Sequence, residues 1–409
     1  MGSNNSNNSS DHRRQSATTA AKGSSRKGRK PRKAPAGAAL RWRRGVSITM
    51  SVVTALLSVG LLLSAYAGYV RPSQFAPSAV MQMTLPLWAL AVVAIAIIDL
   101  IWWRWQVLIA LAAMALSAGP LWDLCPLNIG GEPELTPEQQ RRAFTLMSYN
   151  VADFNDFTES YPSGTNPTIS YILREDADVV CLQELEYFCA LERWHVTAAQ
   201  IDSLHRRYPY VLLNGHTQAI MSKYPVESLP LDFKHIRKGA GDMAAYRIMV
   251  EGTPVNIFNL HLGSFNLTGK DKELYRSVTR LGQDSVPELR QVKNRLYDKV
   301  VTAALAHEQQ AEHLLRFVKH YGGERAIICG DFNDVPGCYA LRRLSDADFR
   351  QVYPALAFGP TITFHANRFY FRIDHVLWRG KLTPLSIKRG DAPYSDHYPL
   401  TTKFLVDIE

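Results

Sequence analysis

The sequence predicts an α/β domain over residues 144–409, preceded by an N-terminal helical transmembrane region. The domain is predicted because strand-like apolar runs alternate with segments of helical periodicity in this part of the chain. The order of these elements is that of an α/β fold. The membrane region is predicted because residues 46–122 contain long apolar runs with very few charges. At 409 residues the chain has room for both parts.

The first 45 residues differ in composition from the rest. They carry twelve Lys or Arg residues against one acid, Asp11, which gives a net charge of +11. The whole chain carries +9, so residues 46–409 sum to −2 and the basic character belongs to the tail. Residues 1–40 have almost no large apolar side chains and cannot bury enough surface to offset the entropy lost on ordering. We therefore expect residues 1–45 to be a disordered, basic cytoplasmic tail; nucleic-acid binding is the alternative interpretation.

Three apolar runs predict three transmembrane helices, at about residues 46–70, 79–101 and 106–122. Because Lys and Arg are enriched on the cytoplasmic side of membrane spans, we expect the tail in the cytoplasm. Three crossings then place the chain after Trp122 on the outer side, periplasmic or extracellular. The third run is the shortest and contains a Gly-Pro pair, and two crossings would reverse this placement.

Asp99 lies near the end of the second apolar run. A charged carboxylate at the centre of a bilayer would cost about 3 kcal/mol. We therefore expect Asp99 to reach the membrane interface beside the Trp-Trp-Arg-Trp turn at residues 102–105. A proton- or ion-handling role is the alternative.

The predicted elements of the domain follow in chain order. Residues 123–143 are expected to form a linker or a short helix leading into the domain. Strands are predicted at residues 145–147, 178–181, 218–223, 255–258, 326–329 and 400–406. Helices are predicted at residues 166–175, 199–208 and 286–321.

Six short polar signatures lie at the ends of apolar runs. They are Ser148-Tyr149-Asn150, Leu182-Gln183-Glu184, Asn259-Leu260-His261-Leu262, Gly330-Asp331-Phe332-Asn333-Asp334, Arg372-Ile373-Asp374-His375 and Ser395-Asp396-His397. Solvated surface charges would fall without this regularity. We therefore interpret the signatures as one site, formed where the ends of several strands converge.

The residue types in this set suit the hydrolysis of a phosphoester. Such a substrate is anionic and slow to hydrolyse, so a protein must neutralise charge, prepare a water and stabilise the leaving oxygen. Mg²⁺ suits the first task and prefers one or two carboxylates together with waters. Glu184, directly after an apolar strand, is the first candidate ligand; a solvated glutamate at a strand end is the alternative.

Asp331 and Asn333 form the more specific motif. Residues two apart on an extended chain point to the same side, so the two side chains can face one ligand while Phe332 packs behind them. An Asx-type turn after the strand is the alternative interpretation.

Asp396 and His397 are adjacent and can do two jobs, Asp396 on a metal and His397 on the reacting water or phosphate. A histidine in that role needs a carboxylate that fixes its tautomer, and Asp374 is the natural candidate. His261, at the end of an apolar run, could donate to a phosphoryl oxygen. The other histidines are expected to be structural, including His12, His195, His205, His216, His307, His313, His320 and His365.

Several other chemistries lack their motifs. The sequence contains no closely spaced set of zinc ligands, no Gly-rich phosphate loop with Lys and Ser/Thr, and no Gly-x-Ser-x-Gly element. The five cysteines are too few, and odd in number, for a disulfide framework, although one bridge is compatible with them.

In order and spacing, the six signatures resemble the magnesium-dependent endonuclease/exonuclease/phosphatase superfamily. Residues 219–225 also resemble the central strand of that family, and the resemblance covers about residues 144–409. It implies a four-layer sandwich, in which two packed mixed β-sheets are flanked by helices. No motif of the family is missing, so we expect an active enzyme.

The resemblance also implies a role for each site residue. Glu184 would bind the metal, Mg²⁺ or alternatively Mn²⁺, with Asn150 and Asp396 completing or supporting the site. Asp331 and Asn333 would position the nucleophilic water and the phosphate.

The same resemblance assigns the histidines. His397, paired with Asp374, would act as general base or stabilise the transition state, and His261 would be a second phosphate donor. An insertion at residues 263–289 departs from the family pattern and carries Lys270, Lys272, Arg276 and Arg280. We interpret it as a substrate-side loop, with a solvated charged loop as the alternative.

Members of the family cleave DNA, RNA, inositol phosphates or sphingomyelin-like lipids. The net charge of residues 46–409 gives no support for an extended groove that tracks nucleic acid. A membrane tether raises the effective concentration of a lipid head group. The predicted function is therefore a membrane-anchored, divalent-metal-dependent hydrolase of phosphodiester or phosphate-ester bonds. An extracytoplasmic nuclease on DNA or RNA and a catalytically silent, anchored binding module are the alternatives.

Overall fold

The computed structural model describes residues 36–102, 104–155, 158, 165–185, 196–215, 217–230, 241–265, 286–366 and 369–408. Its chain divides into two compact units, Met1–Thr49 and Met50–Glu409. The first unit is described from Ala36, where helix α1 begins, so the last ten residues of the predicted disordered tail are helical. The rest of that predicted tail lies outside the described residues.

Helices and strands alternate through the described residues. The helices are α1 (Ala36–Tyr66), α2 (Pro77–Met83), α3 (Leu85–Ile101), α4 (Val107–Leu116), α5 (Ala118–Leu124), α6 (Pro137–Arg142), α7 (Pro167–Glu175), α8 (Ala198–Arg207), α9 (Val286–Tyr321), α10 (Tyr339–Ser345) and α11 (Val352–Leu356). The strands are β1 (Ala143–Asn150), β2 (Val179–Gln183), β3 (Tyr210–Asn214), β4 (Gln218–Ser222), β5 (Val226–Leu229), β6 (Gly241–Val250), β7 (Thr253–Leu262), β8 (Arg325–Asp331), β9 (Arg350–Gln351), β10 (Asp374–Gly380), β11 (Leu382–Arg389) and β12 (Leu400–Val406).

The strands form two six-stranded mixed sheets. The first has the order β11-β12-β1-β2-β4-β3 and the second the order β5-β6-β7-β8-β10-β9. The pairs β1–β2 and β7–β8 are parallel, and the other neighbours are antiparallel. Because parallel neighbours end at the same edge, each sheet brings the C-terminal ends of two central strands together.

The two sheets pack face to face around one apolar core. This core includes Phe144, Leu146, Val179 and Ile220 from the first sheet, and Tyr246, Ile257, Ile327 and Val376 from the second. Helices α7 and α8 cover the outer face of the first sheet, and α9 and α10 cover that of the second. The predicted four-layer sandwich is therefore confirmed. Strands buried on both faces explain the continuous apolar runs, since neither face carries polar side chains to solvent.

Local signals determine where two of the covering helices begin. Asn166 precedes α7, and its side-chain oxygen accepts a hydrogen bond from the backbone N–H of Ile169 at 3.2 Å. Pro167 occupies the first helical position, where no N–H is needed. Thr197 and Gln200 form a capping box at the start of α8.

Among the described residues of the apolar N-terminal region, one helix, Arg41–Tyr69, is long and apolar enough to cross a membrane. Helices α2 and α3 meet at a bend of 53°, and helices α4 and α5 meet at a bend of 68°. If each bent pair is counted as one span, the described residues contain up to three spans. Buried residues of α1, α3 and α4 pack together, among them Leu61, Val92 and Ala110.

The carboxylate of Asp99 has a partner inside the protein, and its predicted position at the membrane interface stays a prediction. The residue is fully buried, and its Oδ2 accepts a hydrogen bond from the Thr54 hydroxyl at 2.8 Å. A hydroxyl on the neighbouring helix supplies the donor that the carboxylate needs, so the side chain turns inward.

Gly330 is the position in β8 where only glycine fits. Its φ is +138°, and a Cβ would lie 1.9 Å from the backbone oxygen of Leu260 on β7. We expect Gly330→Ala to destabilise the protein by about 3 kcal/mol or more, from the combined backbone strain and steric overlap. Thermal unfolding of the detergent-solubilised protein measures the loss.

Gly252→Ala is the matched control for this substitution. Gly252 also has a positive φ, +75°, but no atom lies within 4 Å of the added Cβ. Gly252→Ala should therefore lower the free energy of unfolding only by the backbone strain, about 1 kcal/mol. Equal losses for the two variants would contradict the close approach of β7 and β8.

Candidate active site

Strand register brings the polar signatures to one edge of the sandwich. In the second sheet, the β7–β8 register pairs His261 with Asp331, and the β8–β10 register pairs Asp331 with Asp374. In the first sheet, the β1–β2 register pairs Asn150 with Gln183, and Glu184 follows directly. The convergence expected from the sequence is present.

A layer of buried amides joins the two sheets beneath this edge. Gln183 Nε2 donates to Asn259 Oδ1 at 2.6 Å, and Asn259 Nδ2 donates to the backbone oxygen of Leu182 at 2.9 Å. Gln183 also contacts the Ser148 hydroxyl at 3.3 Å. These side chains belong to the signatures, but no local pattern in the sequence indicates this cross-sheet role.

Asn150 lies between two carboxylates that come from different sheets. Its Nδ2 is 3.0 Å from Glu184 Oε1 and 3.0 Å from Asp331 Oδ2. Its Oδ1 accepts a hydrogen bond from the backbone N–H of Ala152 at 3.1 Å, which fixes the orientation of the amide. Asn150 therefore offers its nitrogen to the acids and supports them.

The acids and histidines form two overlapping groups, which we call the acid–histidine cluster. The ligand atoms of Glu184, His261 and Asp331 lie within 4.8 Å of one another, and so do those of Asp331, Asp374 and His397. Asp331 belongs to both groups and is nearly fully buried. Asp396 belongs to neither of them, although the charge of Glu184 contributes to raising its pKa, after burial as the main cause.

Asp374 orients His397, as the sequence predicts. His397 Nδ1 is 2.9 Å from Asp374 Oδ2, and its Nε2 lies 3.6 Å from Asp331 Oδ2. The backbone N–H of Asp374 donates to the Thr363 hydroxyl at 3.0 Å. The Ser395 hydroxyl accepts from the backbone N–H of His397 at 3.2 Å and donates to the backbone oxygen of Asn150.

Burial and charge act against each other on the two central groups. Burial lowers the pKa of His397, but the carboxylates of Asp374 and Asp331 outweigh it and raise this pKa to about 10. Burial raises the pKa of Asp331 to about 6, although His397 acts in the opposite direction. At neutral pH His397 is therefore an imidazolium that can donate through Nε2.

Asn333 does not share an extended segment with Asp331. Its φ is +49°, and its backbone N–H donates to Asp331 Oδ1 at 2.7 Å, so the Asx-type turn is the observed conformation. Its Nδ2 donates to the backbone oxygen of Leu262 at 2.8 Å, which ties the ends of β8 and β7 together.

Three further histidines near the site have structural contacts. His375 Nε2 lies 3.0 Å from the backbone oxygen of Asp334, and burial lowers the pKa of His375 to about 3. The His365 ring stacks on Tyr398 at 4.2 Å. His307 lies between Asp334 and Gly263, which no local signal in the sequence indicates. His12, His195, His216 and the four cations of the insertion lie outside the described residues.

The donor set of the cluster fits a divalent cation. Carboxylate oxygens are the ligands that Mg²⁺ and Mn²⁺ prefer. In the described part of the chain, the positive partners of Glu184 and Asp331 are imidazoles only, with no Lys or Arg among them. His261 Nε2 is buried without a hydrogen bond, 3.3 Å from Glu184 Oε1. Because only imidazoles offset the negative charge of these carboxylates, the site favours a bound cation.

The two-sheet sandwich and the acid–histidine cluster at its edge define the class of phosphoesterases and nucleases. A sequence model of the Endonuclease/Exonuclease/phosphatase family matches residues 147–397, and the chain belongs to this family. A second sequence model, described as a domain of unknown function, matches residues 47–124. No curated protein matches the chain.

Solved structures are similar to about two thirds of the chain. Humanized TDP2 of D. rerio is 17% identical, with a TM-score of 0.40, and 64% of this chain covers 99% of that one. An endonuclease/exonuclease/phosphatase from Bacteroides vulgatus is 15% identical, with a TM-score of 0.41 and coverage of 65% and 99%. ANGEL2, a 2',3'-cyclic phosphatase, is 16% identical, with a TM-score of 0.41 and coverage of 65% and 96%.

The raised pKa of His397 predicts how stability depends on pH. Because the folded-state pKa of about 10 lies above the ordinary histidine value of 6.5, the contribution of the imidazolium is complete below pH 6.5 and is lost as the pH rises through 10. In EDTA, wild type should therefore have a higher Tm than His397→Gln at pH 7, and the difference should shrink toward pH 10.

His205→Gln controls for the loss of an exposed histidine on α8. It should show no pH-dependent difference from wild type. A difference in Tm between wild type and His397→Gln that stays constant from pH 6 to pH 10 would contradict a charged His397.

Proposed function

We propose that the protein is a membrane-anchored, divalent-metal-dependent hydrolase of phosphodiester or phosphate-ester bonds, acting by in-line attack of water. One observation carries the proposal: Glu184 and Asp331, from different sheets, lie 3.0 Å from the same amide nitrogen of Asn150. His261 and His397 lie within 4 Å of Asp331 Oδ2. The carboxylates that would bind a cation therefore lie beside the histidines that would donate hydrogen bonds to a phosphoryl group.

The metal would be held first by Glu184, with Asn150 and Asp396 in support. Mg²⁺ is the proposed ion and Mn²⁺ the alternative, because Glu184 and Asp396 offer carboxylate oxygens, while the Asn150 amide would orient the Glu184 carboxylate. When bound, the ion would neutralise phosphate charge and lower the pKa of a bound water.

The histidines and the β8 residues would act on the phosphate and the water. His397, held by Asp374 and protonated at neutral pH, is suited to donate to the phosphoryl oxygens as charge develops on them. His261 would be a second donor from β7. Asp331 and Asn333 would position the attacking water and the phosphate.

The proposed substrate is a phosphoester of the membrane surface, such as a lipid head group. Gln82, in helix α2 at the start of the second candidate span, donates to backbone oxygens of the loop that follows Asp331 and Asn333. This contact supports a site close to the point where the chain leaves the membrane. A lipid head group then has a high local concentration at the site.

Hydrolysis of bis-p-nitrophenyl phosphate by the full-length protein tests the reaction type. We expect activity with Mg²⁺, loss of activity in EDTA, and a fall in kcat of about 10²-fold or more for His397→Ala and Glu184→Ala. His205→Ala is the control and should match wild type. Equal rates for wild type, His397→Ala and Glu184→Ala would support the silent binding module instead.

A substrate panel tests the proposed substrate class. Phospholipid vesicles, plasmid DNA and RNA are compared at equal phosphate concentration. We expect the highest kcat/KM, and head-group release, with the vesicles. Preferential cleavage of DNA or RNA would replace this proposal with the extracytoplasmic nuclease.

We also propose three crossings, with the tail in the cytoplasm and the catalytic domain on the outer side. Two contacts support this placement, because they join the catalytic domain to the segment after the first candidate span and to the end of the third. Ser73, after the first candidate span, donates to Glu308 on α9, and Trp122 Nε1, at the end of the third, donates to the backbone oxygen of Pro354 at 2.9 Å. Reporters fused after Glu409 and inserted at residue 104 should therefore report opposite sides. A cytoplasmic signal from the fusion after Glu409 would refute the outward placement.

A further inference from the structure

The segment between α1 and α3, residues 67–84, packs against the loop that leaves β8. We call the first the connector and the second, residues 331–337, the β8 exit loop. Gln82 of the connector is 4% exposed, and its Nε2 donates to the backbone oxygens of Pro336 at 3.1 Å and Val335 at 3.4 Å. One buried side chain therefore satisfies two carbonyl groups of the loop that carries Asp331 and Asn333.

The two segments also meet backbone to backbone. A Cβ added to Gly68 would lie 1.9 Å from the backbone oxygen of Gly337. Tyr69, the next residue, lies under the guanidinium of Arg342, with its ring centroid 4.8 Å from Cζ. Only glycine at position 68 permits this approach, so the connector touches the last residue of the β8 exit loop directly.

Helix α9 forms a second contact with the connector. The backbone N–H and the hydroxyl of Ser73 donate to the two carboxylate oxygens of Glu308, at 2.9 and 2.8 Å. Arg71 forms a longer ion pair with Glu312, one turn further along the helix, at 3.9 Å. A paired contact to both oxygens fixes the carboxylate in one orientation.

The residue before Glu308 links this contact to the active site. His307 is buried; its Nδ1 is 3.2 Å from Asp334 Oδ2, and its Nε2 is 2.6 Å from the backbone oxygen of Gly263. Asp334 belongs to the β8 exit loop, and Gly263 follows the end of β7. The connector thus contacts the β8 exit loop directly through Gln82, and it is linked through α9 to the segments that follow β7 and β8, two of the strands that present site residues.

We propose that the connector positions the catalytic residues, with Gln82 as the positioning residue that holds the β8 exit loop in its turn. This inference rests on the proposed hydrolase function, and it gives the region of residues 47–124 a role beyond anchoring. The loop needs such support because Asn333 lies in the left-handed region and Asp331 is buried among acids. A shift of about 1 Å at a catalytic group can cost up to about 10²-fold in rate.

Gln82→Met in the full-length, detergent-solubilised protein tests the proposal. Methionine keeps the length of the side chain but cannot donate to Val335 or Pro336. With bis-p-nitrophenyl phosphate and Mg²⁺, we expect kcat to fall about tenfold while KM stays within about twofold, because the loop is misplaced and the substrate contacts remain. Amide hydrogen exchange in residues 331–337 should become faster.

Gln74→Met is the matched control, since Gln74 is an exposed glutamine of the same connector. It should retain the kcat and the hydrogen exchange of wild type. Gly68→Ala, whose added Cβ would lie 1.9 Å from the Gly337 oxygen, disturbs the same contact from the other side and should also lower kcat. A Tm of Gln82→Met equal to that of wild type excludes a folding defect as the cause of its lower kcat.

The outcomes separate this inference from the function on which it rests. An active wild type, with Gln82→Met unchanged in kcat and in loop exchange, would overturn the positioning role and leave the hydrolase intact. A wild type without hydrolytic activity would refute the hydrolase. In that case faster exchange of residues 331–337 in Gln82→Met would still support the positioning role, and unchanged exchange would overturn it.

Discussion

The convergence of like charges at one edge of the sandwich is the constraint on which the site depends. Glu184 leaves the first sheet and Asp331 ends a strand of the second, yet both lie within 3.0 Å of the Asn150 amide. Carboxylates this close repel each other, and hydrogen-bond donors that face them offset the repulsion. The hydrogen bond from Gln183 to Asn259 joins the two sheets one layer below, so buried polar groups specify the separation of the sheets at this edge.

The sequence predicts those parts of the fold that depend on local periodicity. The strands that carry the site are buried on both faces, so they form continuous apolar runs, and a polar residue marks the point where each strand leaves the core. Strands at and near the sheet edges have no such pattern. Strand β6 begins with Gly241 and Asp242, its apolar residues are interrupted by Arg247, and β11 contains Pro384 beside a bulge. Their partners are close in the chain, β7 for β6 and β12 for β11, but the interrupted apolar patterns do not predict either strand.

The roles of single residues were less predictable where a tertiary contact decides the backbone. Extended geometry predicts that Asn333 faces the same ligand as Asp331, but the Asp331 carboxylate accepts the N–H of Asn333 and turns the chain into the left-handed region. Asp396 stands next to His397 in the chain, yet only His397 joins the acid–histidine cluster. The sequence around His307 does not indicate its role, because its two partners, Asp334 and Gly263, are distant from it in the chain.

The apolar N-terminal region follows the same principle as the site. A polar side chain in an apolar segment needs a partner, and the partner decides where that segment packs. Asp99 finds the Thr54 hydroxyl on a neighbouring helix, and Gln82 finds two carbonyl groups of the β8 exit loop. The first contact joins helices of the apolar region to one another, and the second joins that region to the catalytic domain. Because Met50–Glu409 forms one compact unit, residues 50–122 and the acid–histidine cluster are parts of one packed structure.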